Sequence, residues 1–429
     1  MLFIIVDTII KGYKFRIYPT KEQEILLEKH FGCCRFVYNL GLELKNKTYQ
    51  ETGKSITATK LMEMVKELKH SKYLFLREVN SQSVQQSLWD LDSAFSRFFK
   101  KIAKYPNFKS KHISKKSFQI PQGFDVDYSK SNISIPKIKE PIKCIFHRKV
   151  VGEVGSIFIS KNSRGKYFAS LRVETKIKKK DKSIPTLENS IGIDLGISTF
   201  VTDSNGNKYS NPKLLKKYEK LLSKKQRILS KKKLGSKKRE LWKKRVSNIH
   251  AKISNSRKDF HHKLSSKLVR ENQTICLEDL SIKNMMKNRK LSKSIGDVGW
   301  GQFISFLTYK SDWYGTNLLT IGRFEPSSKM CSCGKINQNL KLSDRTWKCS
   351  CGKVHDRDVL AAGNIKKFAF VNLLAKDKIG REPSESKSVE KLTSDDLRKM
   401  IVKPNSMKRK KSNDTIKSYV EADSSLEGR

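Results

Sequence analysis

Ile191-Gly192-Ile193-Asp194-Leu195-Gly196 is the stretch of sequence that decides the fold. Its mostly apolar run ends in an aspartate and a glycine, which predicts a buried strand closed by an acid and a turn. Thr199-Phe200-Val201 predicts a second short strand, and Asn205-Gly206 is a strong signal for a hairpin turn. The stretch therefore predicts a strand, a hairpin and an acid at the edge of a sheet.

Two more acids stand at comparable places further along the chain. Residues 274–277 predict another short buried strand, which ends on Glu278. Long basic helices broken at Gly235 are predicted over residues 214–270, and Asp358 opens a later helix. Any one of these acids alone would be interpreted as a turn residue or a cap. Their order is how an RNase H-like α/β fold distributes its metal ligands.

The candidate metal ligands are Asp194, Glu278 and one of Asp356 or Asp358. Carboxylates at the ends of buried strands lose hydration and repel one another unless a cation lies among them. Oxygen ligands favour Mg²⁺, with Mn²⁺ as the alternative. Two such ions roughly 4 Å apart would activate a water and stabilise the leaving oxygen of a phosphodiester.

A different enzyme class is open on the same residues. Asp194-Leu195-Gly196-Ile197-Ser198 also matches the phosphate loop of actin-like ATPases and sugar kinases, which begin with the same hairpin. The second phosphate motif and the adenosine motif of that class are not visible in the sequence. The charge of the chain also argues against a kinase.

That charge points to a nucleic acid partner. The chain has 90 Lys and Arg against 42 Asp and Glu, a formal net charge of +48, which favours a polyanion beside it. Lys213, Lys216 and Arg257 on the basic helices are candidate phosphate contacts. No apolar run reaches transmembrane length, and residues 2–6 lack the features of a signal peptide. We therefore expect a cytoplasmic, nucleoid-associated protein that does not bind membranes.

Four of the eight cysteines lie in two near-identical knuckles. The knuckles are Cys331-Ser332-Cys333-Gly334 and Cys349-Ser350-Cys351-Gly352, and four thiolates would complete a closed, structural zinc site. Zinc ribbons usually separate each pair by two residues, whereas one residue separates each pair here. Reversible disulfides and a ribbon without metal are the alternatives, and we favour Zn²⁺.

The N-terminal part predicts a small β unit and a helical segment. Residues 14–18 alternate basic and apolar side chains as a strand does, and Thr20 is a helix cap. Residues 155–160 and 167–173 predict antiparallel strands of a small barrel or sandwich. On a helix from Ser81 to Ile102, an apolar stripe is predicted to lie in the core rather than to stack on bases. Its members are Val84, Leu88, Leu91, Phe95, Phe98 and Phe99.

Seven short motifs recur together in one protein family. They are Tyr13–Pro19, Gly32–Asn39, Tyr105–Lys111, Gly192–Gly196, Trp300–Phe303, Ser327–Cys331 and His355–Asp358. With them the sequence resembles TnpB, the nuclease family encoded by bacterial insertion sequences and similar to type V CRISPR effectors and Fanzor proteins. The resemblance covers most of the chain up to about residue 375.

The resemblance implies a multidomain protein, α/β plus β-barrel. An RNase H-like (RuvC) nuclease domain would carry an inserted zinc ribbon beside a wedge-type β-barrel and a helical recognition domain. The implied boundaries are 1–20 for the first strand or strands of the wedge barrel, 21–110 for the recognition domain, 111–183 for the rest of the barrel, 184–330 for the first part of the RuvC domain, 331–352 for the zinc ribbon, 353–375 for the last RuvC motif and 376–429 for a disordered tail.

The resemblance also implies residue roles and partners. Asp194, Glu278 and Asp358 correspond to the catalytic, metal-binding acids, with Asp356 as the alternative to Asp358. Gln85 would contact a base of a short target-adjacent motif. The implied partners are a guide RNA from the transposon end and double-stranded target DNA that carries this motif. The expected assembly is a monomer with one RNA.

The expected function is that of a transposon-encoded RNA-guided DNA endonuclease, in which the guide RNA directs metal-dependent phosphodiester hydrolysis. Two alternatives are left open within nucleic acid chemistry: a DNA transposase that uses the same acids, and a nuclease-inactive RNA-guided repressor. The actin-like ATPase or sugar kinase is the alternative of another class.

Overall fold

A computed structural model describes residues 6–111, 115–179, 185–341 and 343–379 of the chain. The chain falls into two units, each assembled from three stretches. Unit 1 combines residues 1–185, 211–273 and 282–318, and unit 2 combines residues 186–210, 274–281 and 319–429. The disordered tail was predicted at 376–429; a helix continues to Ile379, and residues 380–429 lie outside the described residues.

Among the described residues of unit 1, seven antiparallel strands form one sheet. They are β1 (Val6–Tyr18), β2 (Lys116–Ile120), β3 (Asp125–Asp127), β4 (Asn132–Ser134), β5 (Ile142–Ile145), β6 (Glu153–Lys161) and β7 (Tyr167–Lys178). Their order in the sheet is β2-β6-β7-β1-β5-β4-β3, so β1 pairs with both β5 and β7. The strands predicted at 14–18, 155–160 and 167–173 are confirmed.

The sheet curves around a core as a half-barrel. Six of its strands contribute buried side chains to this core, among them Phe15 and Ile17 of β1, Ile157 of β6 and Leu171 of β7. The strand order leaves β2 and β3 as edges, so the sheet is open. The resemblance implied a wedge-type β-barrel at this place. The described strands form an open half-barrel, and the wedge assignment remains a prediction.

Three helices follow β1: α1 (Lys21–Thr52), α2 (Ala58–Ser71) and α3 (Ser81–Phe99). The predicted cap at Thr20 is confirmed. Its hydroxyl accepts the Gln23 N–H at 3.2 Å, and the Gln23 side chain accepts the Thr20 N–H at 3.0 Å. This reciprocal pair satisfies two backbone donors that a helix start would otherwise leave unpaired.

The apolar stripe of α3 reaches the core only along its first part. Val84, Leu88 and Leu91 are at most 5 % exposed and pack with residues of α1 and α2, as predicted. Phe99 is 71 % exposed. The prediction of a core position is wrong for Phe99, because the last turn of α3 lies beyond the residues that pack against its first turns.

The other two stretches of unit 1, residues 211–273 and 282–318, are mainly helical. Their helices are α4 (Leu214–Ser230), α5 (Lys237–Glu271), α6 (Ile282–Met285), α7 (Ser292–Val298) and α8 (Trp300–Tyr314). Gly235 has φ 78° between α4 and α5, which confirms the predicted break. Leu222 of α4 packs against Val246, Ile249 and Ile253 of α5. The apolar seam of these basic helices is therefore buried, and their lysine faces lie at the surface.

The second sheet begins in unit 2 with the stretch quoted first. Its strands are β8 (Ser190–Leu195), β9 (Thr199–Asp203), β10 (Lys208–Ser210), β11 (Thr274–Glu278) and β12 (Asn317–Ile321). The order is β10-β9-β8-β11-β12, with β8 antiparallel to β9 and parallel to β11. Gly206 has φ 88° in the turn between β9 and β10. The predicted strands and the hairpin at Asn205-Gly206 are confirmed.

A small hairpin and a long helix complete unit 2. The hairpin pairs β13 (Thr346–Lys348) with β14 (Val354–Asp356), and α9 (Arg357–Ile379) begins directly after it. The helix packs on β8, closest at Gly192, where an added Cβ would lie 2.0 Å from the Ala362 carbonyl oxygen. Only glycine permits this approach. The close contact carries the first turn of α9 toward the end of β8.

We expect Gly192→Ala to lower the free energy of unfolding by about 3 kcal/mol, because backbone must move to admit the methyl group. Gly363→Ala is the matched control, since an added Cβ on this glycine of α9 meets nothing within 4 Å. That control should be neutral or stabilising by up to about 1 kcal/mol. Urea unfolding of both variants measures the difference, and equal stabilities would contradict the packing described.

The domain boundaries implied by the resemblance remain a prediction. Residues 211–273 and 282–318, which they place in the nuclease domain, group with unit 1 by their contacts. No helix in the described ranges is both long enough and apolar enough to span a membrane.

Candidate active site and metal centres

Asp194 and Glu278 lie at the same edge of the second sheet. Asp194 is the penultimate residue of β8, and Glu278 is the last residue of β11. The strands run parallel, with Cys276 opposite Gly192, so their carboxyl ends point the same way. Asp358 lies in the first turn of α9, the helix that packs on both strands. All three predicted acids belong to unit 2.

Asp194 is electrostatically coupled to Asp358. Burial raises the pKa of Asp194 to about 6, and the negative charge of Asp358 contributes to the rise. Arg357 and Arg345 act in the opposite direction without cancelling it. An acid that is hard to ionise beside a second acid is the arrangement that a cation relieves.

Glu278 is also hard to ionise. Burial raises the pKa of Glu278 to about 7, and Asp194, Glu325 and Asp279 raise it further. Asp279 itself is exposed, and it accepts a hydrogen bond from Nε of Arg323 at 2.8 Å. Asp194 on β8 is therefore close enough to Glu278 on β11 for its charge to oppose the ionisation of Glu278.

Glu325 is an acid of this site that sequence reasoning missed. Its Oε1 accepts hydrogen bonds from the Asn372 side chain at 2.8 Å and the Gly322 N–H at 3.1 Å. Its Oε2 is buried and has no hydrogen-bond partner within the described residues. Glu325 therefore adds a further carboxylate near Glu278.

The two aspartates of the Asp-Arg-Asp motif have different surroundings. Oδ1 of Asp356 accepts the N–H groups of Asp358 at 3.0 Å and Val359 at 3.1 Å, and so caps α9. Oδ2 of Asp356 accepts from Nζ of Lys208 at 2.6 Å. Partial burial raises the pKa of Asp356, but these hydrogen bonds hold it below its ordinary value.

In the described part of the chain, the Asp358 carboxylate neither caps a helix nor pairs with a lysine as Asp356 does. Nη1 of Arg345 lies 3.4 Å from each of its carboxylate oxygens, at the long end of hydrogen bonding. Asp358 is also the aspartate of the motif whose negative charge raises the pKa of Asp194. Of the two candidates, Asp358 is the one whose charge acts on Asp194.

Oxygen-only donors of this kind suit Mg²⁺ or Mn²⁺. The three acids are nevertheless more widely spaced than the ribbon cysteines. Across the described residues, those four cysteines form the one group of three or more potential ligands whose ligand atoms all lie within 4.8 Å of one another.

The four cysteines have the geometry of a zinc site. Sγ of Cys331 lies 3.6 Å from Sγ of Cys351, and Sγ of Cys333 lies 3.7 Å from Sγ of Cys349. Tetrahedral Zn–S bonds of about 2.3 Å place sulfur atoms roughly 3.8 Å apart. The thiols are therefore compatible with structural zinc, and the single-residue spacing within each pair does not prevent them from converging.

Both knuckles are built in the same way. Gly334 and Gly352 have φ 89° and 90°. The N–H of each donates to the carbonyl oxygen of the first cysteine of its knuckle at 2.9 Å. This left-handed backbone is readily adopted by glycine alone. The equal geometry explains how two copies of Cys-Ser-Cys-Gly present four thiols to one point.

Matches to known proteins cover most of the chain. Family models match residues 170–289, described as "Probable transposase", residues 9–54, described as "Helix-turn-helix domain", and residues 300–365, described as "Cas12f1-like, TNB domain". In the structure, residues 9–54 form β1, α1 and the turn between them rather than two helices.

Two curated relatives decide the family. A protein of Streptomyces pristinaespiralis named "Putative RNA-guided DNA endonuclease" is 38 % identical over 359 residues, 83 % of this chain and 88 % of that protein. "Putative RNA-guided DNA endonuclease InsQ" of Escherichia coli (strain K12) is 30 % identical over 373 residues, 83 % of this chain and 91 % of that protein. This chain belongs to the TnpB family.

A solved structure shares the fold of this TnpB chain. The "Cryo-EM structure of the Cas12f1-sgRNA-target DNA complex" superimposes with a TM-score of 0.53 at 16 % identity. The match covers 84 % of this chain and 99 % of that chain. At this level of identity the likeness concerns the fold alone.

The four nucleic-acid contacts predicted for this TnpB protein have unequal surroundings. Gln85 is exposed on α3, and Lys213 and Lys216 are exposed at the start of α4. Arg257 instead donates from Nη2 to Asp297 at 2.9 Å, and Asp297 also accepts the N–H of Leu215. Arg257 thus ties α5 to the start of α4. The role of all four in binding nucleic acid remains a prediction.

Sequence reasoning also missed two residues of this TnpB protein: Arg345 beside the acids and His355 beside the cysteines. Nε2 of His355 lies 3.0 Å from Sγ of Cys331, and its position four residues after Cys351 was a usable signal. Arg345 has no such local signal, because only the folded ribbon brings it to Asp358.

We expect the purified TnpB protein to contain about one zinc ion per chain, and Cys333→Ser with Cys349→Ser to remove it and lower the melting temperature. Elemental analysis and thermal unfolding measure the two effects. Ser350→Ala is the control, because Ser350 lies between two ligands without supplying one. A wild-type protein that is free of zinc, or variants that keep it, would contradict this site.

Proposed function

We propose that this protein is an RNA-guided DNA endonuclease that hydrolyses phosphodiester bonds with divalent metal held by Asp194, Glu278 and Asp358. The observation that carries the proposal is the position of Asp194 and Glu278 at one edge of the second sheet, where the charge of Asp358 raises the pKa of Asp194 and the charge of Asp194 raises the pKa of Glu278. The strand order β10-β9-β8-β11-β12, in which the first three strands form the meander, supports an RNase H-like nuclease core.

The proposed division of labour leaves sequence choice to base pairing with the guide. Both curated relatives are named as RNA-guided endonucleases, and the solved complex holds an RNA and a target DNA. The net charge of +48 supports binding of the nucleic acid backbone in this chain. A cleft beside α1 with a net positive lining is one candidate path. Its charged residues are Lys21, Lys29, Arg35, Lys111 and Lys116 against Glu24 and Glu28.

Finer assignments belong to the same proposal. Gln85, exposed on α3, would read a base of the target-adjacent motif, and Lys213 and Lys216 would contact phosphates. The protein would act as a monomer with one RNA, with Zn²⁺ held by the four cysteines and Mg²⁺ or Mn²⁺ by the acids.

The protonation states of the acids determine whether the proposed site can hold a cation. Asp194 and Glu278 must both be ionised to hold a cation, although burial favours their neutral forms. Bound divalent metal would supply an activated water and stabilise the leaving oxygen. Asp356 holds the start of α9 by its cap and its Lys208 pair, which keeps Asp358 beside Asp194.

The stabilising effect of Mg²⁺ should grow with pH. Because folding raises the pKa of Asp194 to about 6 and of Glu278 to about 7, the metal-free protein loses stability as the pH rises through these values. Mg²⁺ binds the ionised form and restores that stability. The melting temperature should therefore rise more on addition of Mg²⁺ at about pH 8 than at about pH 5.5. An equal rise at both values would count against the coupled acids as the site.

Sequencing of the RNA that copurifies with the protein tests the function. We expect a structured RNA with a variable end, and cutting of plasmid DNA that matches this end in Mg²⁺ but not in EDTA. Because one matching family is described as "Probable transposase", strand joining is the second candidate. Protein without RNA that joins DNA ends would support it and overturn the first.

A further inference from the structure

Four aromatic rings form a cluster at the end of α3, outside the sites described above. They belong to Phe95, Phe98, Phe99 and Tyr105, with centroids of contacting rings 5.3–6.3 Å apart. Phe95 packs against the helical core of unit 1. The hydroxyl of Tyr105 donates to Oδ1 of Asn46 at 2.6 Å. The cluster is therefore fixed at its base.

The outer side of this aromatic cluster faces solvent. Phe99 is 71 % exposed and Tyr105 is 45 % exposed. The adjacent Ile102 and Phe108 are also exposed. A held, exposed ring offers contact area at little cost in side-chain freedom, because its torsions are already restricted by its neighbours.

The charges around the cluster favour a polyanion as its occupant. Residues 93–111 contain no Asp or Glu and carry the basic residues Arg97, Lys100, Lys101, Lys104, Lys109 and Lys111. The preceding acid, Asp92, is paired with Lys45 at 3.1 Å. Exposed rings set among cations are the arrangement by which proteins hold single-stranded nucleic acid.

We propose that Phe99, supported by its ring contacts with Phe95 and Phe98, is a stacking surface for an unpaired nucleobase. The inference rests on the proposed function and adds to it a contact with single-stranded nucleic acid. The ring would cover the face of a base of any identity, and Lys100 and Lys101 would bind the phosphates on either side. The contact would be tolerant of sequence because every base offers a π face.

Binding of two fluorescent strands to the full-length protein tests the stacking. One strand is single-stranded DNA, and the other is an abasic strand of the same length, which keeps the phosphates. We expect Phe99→Leu to weaken binding of the first strand about tenfold and to leave the abasic strand unchanged. Phe99→Trp should bind as the wild type does. Lys100→Ser with Lys101→Ser is the matched control and should weaken both strands equally.

Photocross-linking locates the contact in the chain. A strand with one 5-iodouracil should cross-link to the tryptic peptide of residues 98–100 in the wild type and lose this product in Phe99→Leu. Wild-type affinity in Phe99→Leu, or cross-links in other peptides only, would overturn the proposal.

Two other outcomes are distinguished by the same variants. In the first, the wild type and Phe99→Leu dimerise in analytical ultracentrifugation while Phe99→Ala stays monomeric. In that case the cluster binds a second copy of the chain, and the stacking proposal is overturned. Failure of the proposed function would instead appear as a lack of guide-dependent cutting by the wild type, whatever the strands show.

Discussion

Asp194→Asn is expected to lower guide-dependent DNA cleavage by about a thousandfold or more, since a lost metal ligand removes several kcal/mol of transition-state stabilisation. Binding of RNA and target DNA should stay within about twofold, because the proposed phosphate contacts lie on basic residues elsewhere. Single-turnover cleavage and gel-shift titrations of the assembled complex measure the two quantities.

Asp203→Asn is the matched control for Asp194→Asn. Asp203 is a buried aspartate of the neighbouring strand β9, and it accepts the N–H groups of Asn205 and Asn207 at 2.9 Å in the hairpin. Its substitution should cost stability and keep cleavage. If Asp194→Asn also abolished binding, or if both variants cut equally well, the catalytic role of Asp194 would be wrong.

Asp358→Asn is expected to abolish cleavage to the same extent, whereas Asp356→Asn should cut within about threefold of the wild type. Asparagine at position 356 can still cap α9 through its side-chain oxygen, and only the half-exposed pair with Lys208 is lost. Such a pair contributes about 1 kcal/mol or less. Cleavage rates and thermal unfolding of the two variants provide the comparison.

The opposite result would exchange the two roles. If Asp356→Asn abolished cleavage while Asp358→Asn cut normally, Asp356 would be the third ligand, and the cap would be a secondary contact. Loss of cleavage in both variants with loss of folding in Asp356→Asn would mean that the cap is indispensable. Unfolding curves separate these cases.

Much of the fold could be predicted from local chemistry. Thr20 before a helical pattern, Asn205-Gly206 between two apolar runs and Gly235 between two basic helices each act within a few residues, and each is confirmed. The three acids could be found because each one ends a strand or opens a helix. Parallel pairing of β8 with β11 then brings two of them together.

Long-range contacts explain what could not be predicted. The difference between Asp356 and Asp358 depends on where Lys208 and Arg345 arrive, and neither is near them in sequence. Phe99 is exposed because the packing partners of α3 end before its last turn. The helical spacing of the apolar stripe does not show where these partners end. The open half-barrel depends on which strands become edges, and that is decided by pairing between distant segments.

The fit of α9 against Gly192 has a consequence for the growing polypeptide. During translation β8 and β11 leave the ribosome first, and the third carboxylate follows only with the last described helix. A nascent or prematurely terminated product that ends after Leu318 holds all of unit 1 yet lacks Asp358. If the proposed function is right, such a product would bind nucleic acid without cleaving it. Hydrolysis of the phosphodiester bond would require that α9 has been synthesised.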